Sequence, residues 1–259
     1  YVNNFQGSMN DGWEMLPTLL VGTPYVFVVN RGTTYGTGTG PLVDHTSGTG
    51  TGTYVYAESN LTGGAAGNVA YLSSPCFDLT NLTNPRLSFY YHFFGTTIGK
   101  MIIQVNKGYG WVSVDSIVGA QQTNQNSPWQ KRSINLVNFA NELIKIRFMA
   151  VRGNGTLGDM ALDDISIESA PSIDLETVSI LEPNLTSCSF PSSAKVKAIF
   201  RNNGFLPITN PSVNYLLQGS TTVTETIPRT LAPGDTVQYT FSTSAAIPNN
   251  QIYTLQVFC

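Results

Sequence analysis

Apolar and polar residues alternate over short stretches of this chain, and glycine, asparagine or proline interrupts each stretch before a helical spacing can develop. That pattern confines the chain to antiparallel β structure. In residues 86–95, Leu87, Phe89, Tyr91 and Phe93 fall on one face of an extended segment. Residues 100–106, 110–117, 143–151 and 160–169 repeat the pattern, and Ile165 and Ile167 share a face in the last of them. Turns are expected at Asn106–Gly108, at Asn154–Gly155 and between Gly119 and Pro128. The best helical candidate, residues 136–144, is short and lacks a cap. The fold expected is all-β, a jelly-roll-like antiparallel sandwich followed by a smaller Ig-like sandwich.

A length of 259 residues allows one large domain or two small ones, and 41% hydrophobic with 11% aromatic residues can build their cores. The proline at 171 marks a boundary, giving domains at 1–169 and 173–259. In the second, Ala194, Val196, Ala198 and Phe200 point inward, and Tyr253, Leu255, Val257 and Cys259 share a face that makes Cys259 a core residue. Thirteen cationic side chains against 16 acidic ones give a net charge of −3, which excludes a nucleic-acid binder. No run of 18 apolar residues is present, so no membrane span is expected. The chain ends within a strand-like run, so we expect it to be part of a longer protein.

Three cysteines, Cys76, Cys188 and Cys259, form no metal-binding spacing. Cys188 and Cys259 share the C-terminal segment and are paired in our reading; closing so long a loop contributes about 4 kcal/mol in the chain-entropy model. Such a disulfide places the protein in an oxidising, extracellular compartment and leaves Cys76 as a buried free thiol. The alternative is three unpaired thiols. Asn-x-Thr sites at Asn60, Asn81, Asn154 and Asn184 are as frequent as chance predicts and carry no information.

Residues 32–54 alternate glycine and threonine with little apolar content. Such a stretch reads either as a long surface loop or as a tightly folded backbone that offers carbonyl oxygens to a cation. Asp44-His45-Thr46, the glycine-rich stretch after it and Tyr54-Val55-Tyr56 carry a family resemblance. So do Leu72 to Cys76, residues 87–95, Trp111, Trp129 and the run from Ala161 to Ile167. In this order and spacing residues 1–169 resemble a MAM domain, the extracellular module of meprins, neuropilins and receptor tyrosine phosphatases. The resemblance implies a jelly-roll-like sandwich, a non-catalytic role in adhesion or association, and a bound cation. Gln6 stands where the family usually carries an acidic residue after the aromatic, and the family's usual disulfide cysteines are not found. Residues 194–204 and 231–235 resemble the CARDB type of Ig-like adhesion module. The pair is similar to accessory regions of secreted or surface proteins of the Bacteroidota kind.

Asp163 and Asp164 are adjacent in a strand, so their side chains are expected on opposite faces. One of them, with Asp44, Gln6 and carbonyls of the glycine-rich loop, would supply the oxygens a hard cation needs. With the family resemblance added, the residue set Asp44, Asp163, Asp164 and Gln6 is expected to hold a structural calcium ion, with sodium as the other hard cation for the same oxygens. Solvated surface acids are the plainer reading of the same residues.

Nothing here assembles catalysis: His45 and His92 belong to no motif, and no Gly-x-Ser-x-Gly accompanies the many serines. Trp13, Tyr109, Trp111 and Trp129 could form a sugar-stacking platform, against which stands ordinary core packing for the tryptophans. The expected function is a non-catalytic extracellular adhesion or binding module pair with a protein or glycan ligand. The alternative is the carbohydrate-binding accessory region of a secreted hydrolase, a polysaccharidase or peptidase.

Overall fold

Leu87, Phe89, Tyr91 and Phe93 are all buried, and the aromatic strand that carries three of them is central to one face of a two-sheet sandwich. The computed structural model describes residues 1–6, 11–18, 22, 24–183, 193–246 and 252–259. The chain divides into two compact units, Tyr1–Ser169 and Ala170–Cys259. Among the described residues no helix is long and apolar enough to cross a membrane.

The first unit holds, among its described residues, β1 (Val2–Asn3), β2 (Glu14–Leu16), β3 (Val26–Arg31), β4 (Thr53–Glu58), β5 (Val69–Ser73) and β6 (Phe77–Asp78). There follow β7 (Pro85–His92), β8 (Lys100–Asn106), β9 (Trp111–Val118), β10 (Gln130–Asn135), β11 (Leu143–Val151) and β12 (Met160–Ser169). One sheet runs β10-β7-β12-β4-β3, with β1 also paired to β12. The other runs β2-β5-β11-β8-β9, with β6 also paired to β11. All these pairings are antiparallel.

The two inner faces share one core. Phe148 of β11 meets Phe89 of β7 edge-on at 5.0 Å and stacks on Trp13 at 6.3 Å. Burying a side chain of this size contributes about 1.5–3 kcal/mol. The helical candidate at residues 136–144 reduces to one 3-10 turn, Val137–Phe139. Asn141 takes a left-handed conformation, and from Leu143 onward the chain joins β11. An uncapped helix of that length cannot compete with a strand that buries every second residue.

β12 departs from a regular strand at one place. Its core-facing residues are Met160, Leu162, Ile165 and Ile167, so the spacing slips from two to three across Asp163 and Asp164. The pairing with β7 shifts register there, and Asp164 has φ 46°. This is a β-bulge. On its other edge β12 pairs with β4 through Met160–Leu162 and with β1 at Ile165 and Ser166. The bulge lies where one partner ends and the next begins.

In the second unit, Leu175–Glu182, Lys197–Asn202 and Thr236–Thr240 form one sheet. Val223–Thr226, Ser212–Leu217 and Leu255–Phe258 form another. Val196, Ala198, Phe200, Tyr215, Leu231 and Phe241 fill the core. Asn202 is buried and ties the turn after its strand, donating to Leu206 O and Leu231 O and accepting from Gly204 N.

The cysteines differ from expectation. Tyr253, Leu255 and Val257 pack against the core, but the strand ends at Phe258, and Cys259 is exposed with a free thiol. Its Sγ reaches Leu175 O at 2.6 Å. The partner expected for it, Cys188, lies outside the described residues. Cys76 is also free but exposed rather than buried, because it sits in the link between β5 and β6, outside both strands.

Candidate functional site

The bulge turns both Asp163 and Asp164 toward one loop. Asp163 is fully buried, and its Oδ2 accepts from His45 N at 2.9 Å and Thr46 N at 3.4 Å. Asp164 Oδ2 lies 2.5 Å from His45 Nδ1, and its Oδ1 accepts from Thr46 Oγ1. The expectation of opposite faces assumed a regular strand; the extra residue and the positive φ of Asp164 cancel the alternation. Burial and the neighbouring Asp164 charge push the Asp163 pKa up to about 7, against the pull of the backbone N–H donors.

Asp44 organises the same loop from within. Its carboxylate accepts from Ser47 N and Ser47 Oγ, both at 2.8 Å, from Thr49 N at 3.1 Å and from Gln6 Nε2 at 3.0 Å. Burial alone would raise its pKa, but Ser47, Thr49 and Gln6 as donors hold it below the usual carboxylate value. Gly52 is required beneath it, since a Cβ there would sit 2.1 Å from the Asp44 carboxyl carbon.

Gln6 pairs with the backbone of Thr53, accepting from its N–H and donating to its carbonyl. This pair of hydrogen bonds fixes the amide orientation, and the remaining Nε2 hydrogen goes to Asp44. Gln6 thus presents a donor, not an oxygen, to the carboxylate. Among the described residues no group of three His, Cys, Asp or Glu side chains is gathered as metal ligands. As placed, the four side chains do not assemble the all-oxygen shell of a hard cation; they tie the N-terminal segment to the glycine-rich loop directly.

Beside this cluster lies an open cleft of about 390 Å³ between the loops around residues 41–48 and 125–129. Its wall includes Val43, His45, Asn126, Pro128 and Trp129. The His45 ring stacks on Tyr90 at 3.4 Å. Trp129 is half-buried, donates through Nε1 to Val43 O and meets Tyr54 edge-on. Behind it His92 is fully buried, and burial pushes its pKa down to about 4, so the ring is neutral near pH 7.

The aromatic residues do not form one platform. Trp13 is 5% exposed, packs among Phe5, Phe77 and Phe148 and donates to Tyr1 Oη, so it belongs to the core. Tyr109 is 94% exposed in the turn between β8 and β9. Trp111 lies on β9 in the other sheet, against Arg147, whereas Trp129 lines the cleft.

A further buried polar network was not anticipated. Asp159 Oδ1 accepts from Ser59 N and Ser59 Oγ, and Arg152 donates twice to Ser59 O. Burial, and then the charge of Glu58, push Asp159 up to about 6. Its members come from the end of β4, the end of β11 and the loop before β12, so no local motif links them.

The site thus belongs to a two-sheet antiparallel sandwich whose loops are held by Asp44 and by a bulged Asp-Asp pair. The model of the family described as MAM domain, meprin/A5/mu, matches residues 29–171, more than half of the chain, and the chain belongs to that family. Mouse MAM domain-containing glycosylphosphatidylinositol anchor protein 2 is 30% identical over 144 residues, 53% of this chain but 15% of that protein. Zebrafish neuropilin-1a is 32% identical over 129 residues, 50% of this chain and 13% of that protein. The chain therefore spans only a small part of these relatives. Among solved structures, the K1 cleaved adhesin domain of Lys-gingipain from Porphyromonas gingivalis aligns with a TM-score of 0.46 and 15% identity. That alignment covers 65% of this chain and 97% of the adhesin domain.

Proposed function

We propose that this chain is a non-catalytic binding segment of a larger extracellular protein, in which the MAM sandwich bears the ligand. The observation that carries this reading is the family membership over residues 29–171. In keeping with it, Asp44, Asp163, Asp164 and His45 are spent on holding loops to strands rather than aimed at a common reacting point. The second unit, of CARDB-like, Ig-like character in this reading, supports or spaces the first. A secreted or bacterial surface location belongs to the same proposal, as does a Cys188–Cys259 disulfide, which would replace the free Cys259 thiol of this structure.

The runner-up, a carbohydrate-binding accessory region of a secreted hydrolase, is favoured by one feature: half-buried Trp129 faces a cleft with the polar Asn126 and His45. Both readings are tested by screening the whole chain against glycans and extracellular proteins, in calcium and in EDTA. Saturable glycan binding lost in Trp129→Ala supports the carbohydrate reading. Binding to proteins alone supports adhesion, and turnover of any probe overturns both.

Calcium at the Asp44 loop is part of the proposal as a structural ion. It would have to displace the Gln6 amide from Asp44. An unchanged melting temperature on moving from calcium to EDTA, with no metal retained after dialysis, removes it.

A further inference from the structure

The outer face of the β2-β5-β11-β8-β9 sheet carries a cation clamped between two aromatic rings. Ile144, Ile146, Phe148 and Ala150 of β11 point into the core, so Lys145, Arg147, Met149 and Val151 point outward. The Arg147 guanidinium carbon lies 4.2 Å from the Trp111 ring centroid and 4.6 Å from that of Tyr71. These rings come from strands on either side, β9 and β5. Arg147 Nε donates to Gln104 Oε1 at 2.7 Å, and Gln104 Nε2 in turn donates to Ser113 Oγ at 3.1 Å. The guanidinium is therefore held at its Nε and by two aromatic rings.

Its terminal nitrogens are not used. Among the described residues Arg147 makes no ion pair, and Nε supplies its one hydrogen bond. A guanidinium fork with four N–H groups and fixed planes is preorganised for two parallel bonds to a carboxylate. The electrostatics of the face agree. Lys100 and Lys145 lie on the same outward parity and are likewise without ion pairs among the described residues, while Glu14 of β2 and Asp78 of β6 are acids of this face. In a chain of net charge −3, this face thus carries three cations without an ion pair among the described residues against two acids. Met149 and Ile102, paired across β11 and β8, give it a partly apolar floor.

We infer that this face binds an acidic polysaccharide, with the carboxylate of a uronic acid residue on the Arg147 fork and the pyranose C–H face against Trp111 or Tyr71. The inference rests on reading the chain as a binding module and adds the ligand class and the place. It is separate from the Trp129 cleft, whose wall includes the Asp44 carboxylate and no arginine. A uronate combines the two features the clamp offers, a planar carboxylate for the guanidinium and an apolar ring face for an aromatic side chain.

The test is affinity electrophoresis of the whole chain in gels containing polygalacturonate, with dextran gels as the neutral control. The expected result is retardation by polygalacturonate alone, weakened by 0.5 M salt. Arg147→Gln and Arg147→Lys should each lose at least about tenfold in affinity, because lysine restores the charge without the fork. Trp111→Ala should lose about tenfold through stacking, and the melting curves of Arg147→Lys and Trp111→Ala show whether the fold is intact. Absence of retardation of the wild-type chain overturns the inference, as does full retention by both Arg147 variants. Equal competition by poly-glutamate also overturns it, since the face would then recognise acidic polypeptide. Binding of a neutral glycan or a protein without uronate binding overturns this site and leaves the module reading standing; depolymerisation of the polygalacturonate overturns the module reading itself.

Discussion

Replacing Gly52 by alanine is the sharpest perturbation of the loop that Asp44 organises. The φ angle of Gly52 lies outside the left-handed region, so its backbone conformation suits alanine. The obstacle is contact: the new Cβ would lie 2.1 Å from the Asp44 carboxyl carbon and Oδ2 and 2.3 Å from Oδ1. The carboxylate must swing away and release Ser47 N, Ser47 Oγ, Thr49 N and Gln6 Nε2. Hydrogen bonds to a charged group are worth about 1.5–3 kcal/mol each and do not add fully, so the expected loss is about 3–5 kcal/mol. Asp44→Ala loses the same bonds without a clash. In that background Gly52→Ala should cost less than about 1 kcal/mol, leaving a coupling energy of about 2–5 kcal/mol. All three tryptophans, Trp13, Trp111 and Trp129, lie in the first unit, so urea denaturation followed by tryptophan fluorescence reads that unit selectively. An equal penalty for Gly52→Ala with and without the Asp44 carboxylate would refute the reasoning.

Asp163 makes stability depend on pH. Its pKa is raised from an unfolded carboxylate value to about 7, so folding takes up a proton between about pH 4 and pH 7 and stability falls as pH rises through that window. Asp159, raised to about 6, acts in the same direction, and His92, lowered to about 4, acts in the opposite one. Asp163→Asn isolates the first contribution: relative to the wild type, the variant should gain stability from pH 5 to about pH 7 and then level off, by roughly 2–3 kcal/mol in all. Parallel pH profiles for the two proteins would contradict this assignment. Phe148→Ala should cost about 3–5 kcal/mol by opening a cavity between Phe89 and Trp13, measured as a lower urea midpoint at unchanged slope. A loss under 1 kcal/mol would mean that the core closes over the gap.

Part of the loop site was written in the sequence in a form that periodicity alone conceals. The apolar spacing Met160, Leu162, Ile165, Ile167 contains one step of three, and a strand can keep all four in the core only with an extra residue at Asp163 and Asp164. Reading that step as a bulge would have placed both carboxylates on one loop. Gln6 was legible as a residue of the site but not as a donor, because its role is fixed by Thr53, 47 positions away. Trp13 and Trp111 are alike in the sequence; one packs on Phe148 inside the sandwich and the other on Arg147 outside it.

What the sequence determined by itself was what is local: the strands, the turns between them and the face each side chain takes. A strand's alternation is decided by the pleat, and burial of one face selects it at each position independently. Tyr253, Leu255 and Val257 follow this rule. What only the tertiary structure decided was which residues meet. His45 reaches Asp164 across 119 positions, and Arg147 stands between Tyr71 and Trp111 because β11 was placed between β5 and β8. Strand order follows from the shared core and loop closure over the whole unit, and no short stretch of sequence carries that information.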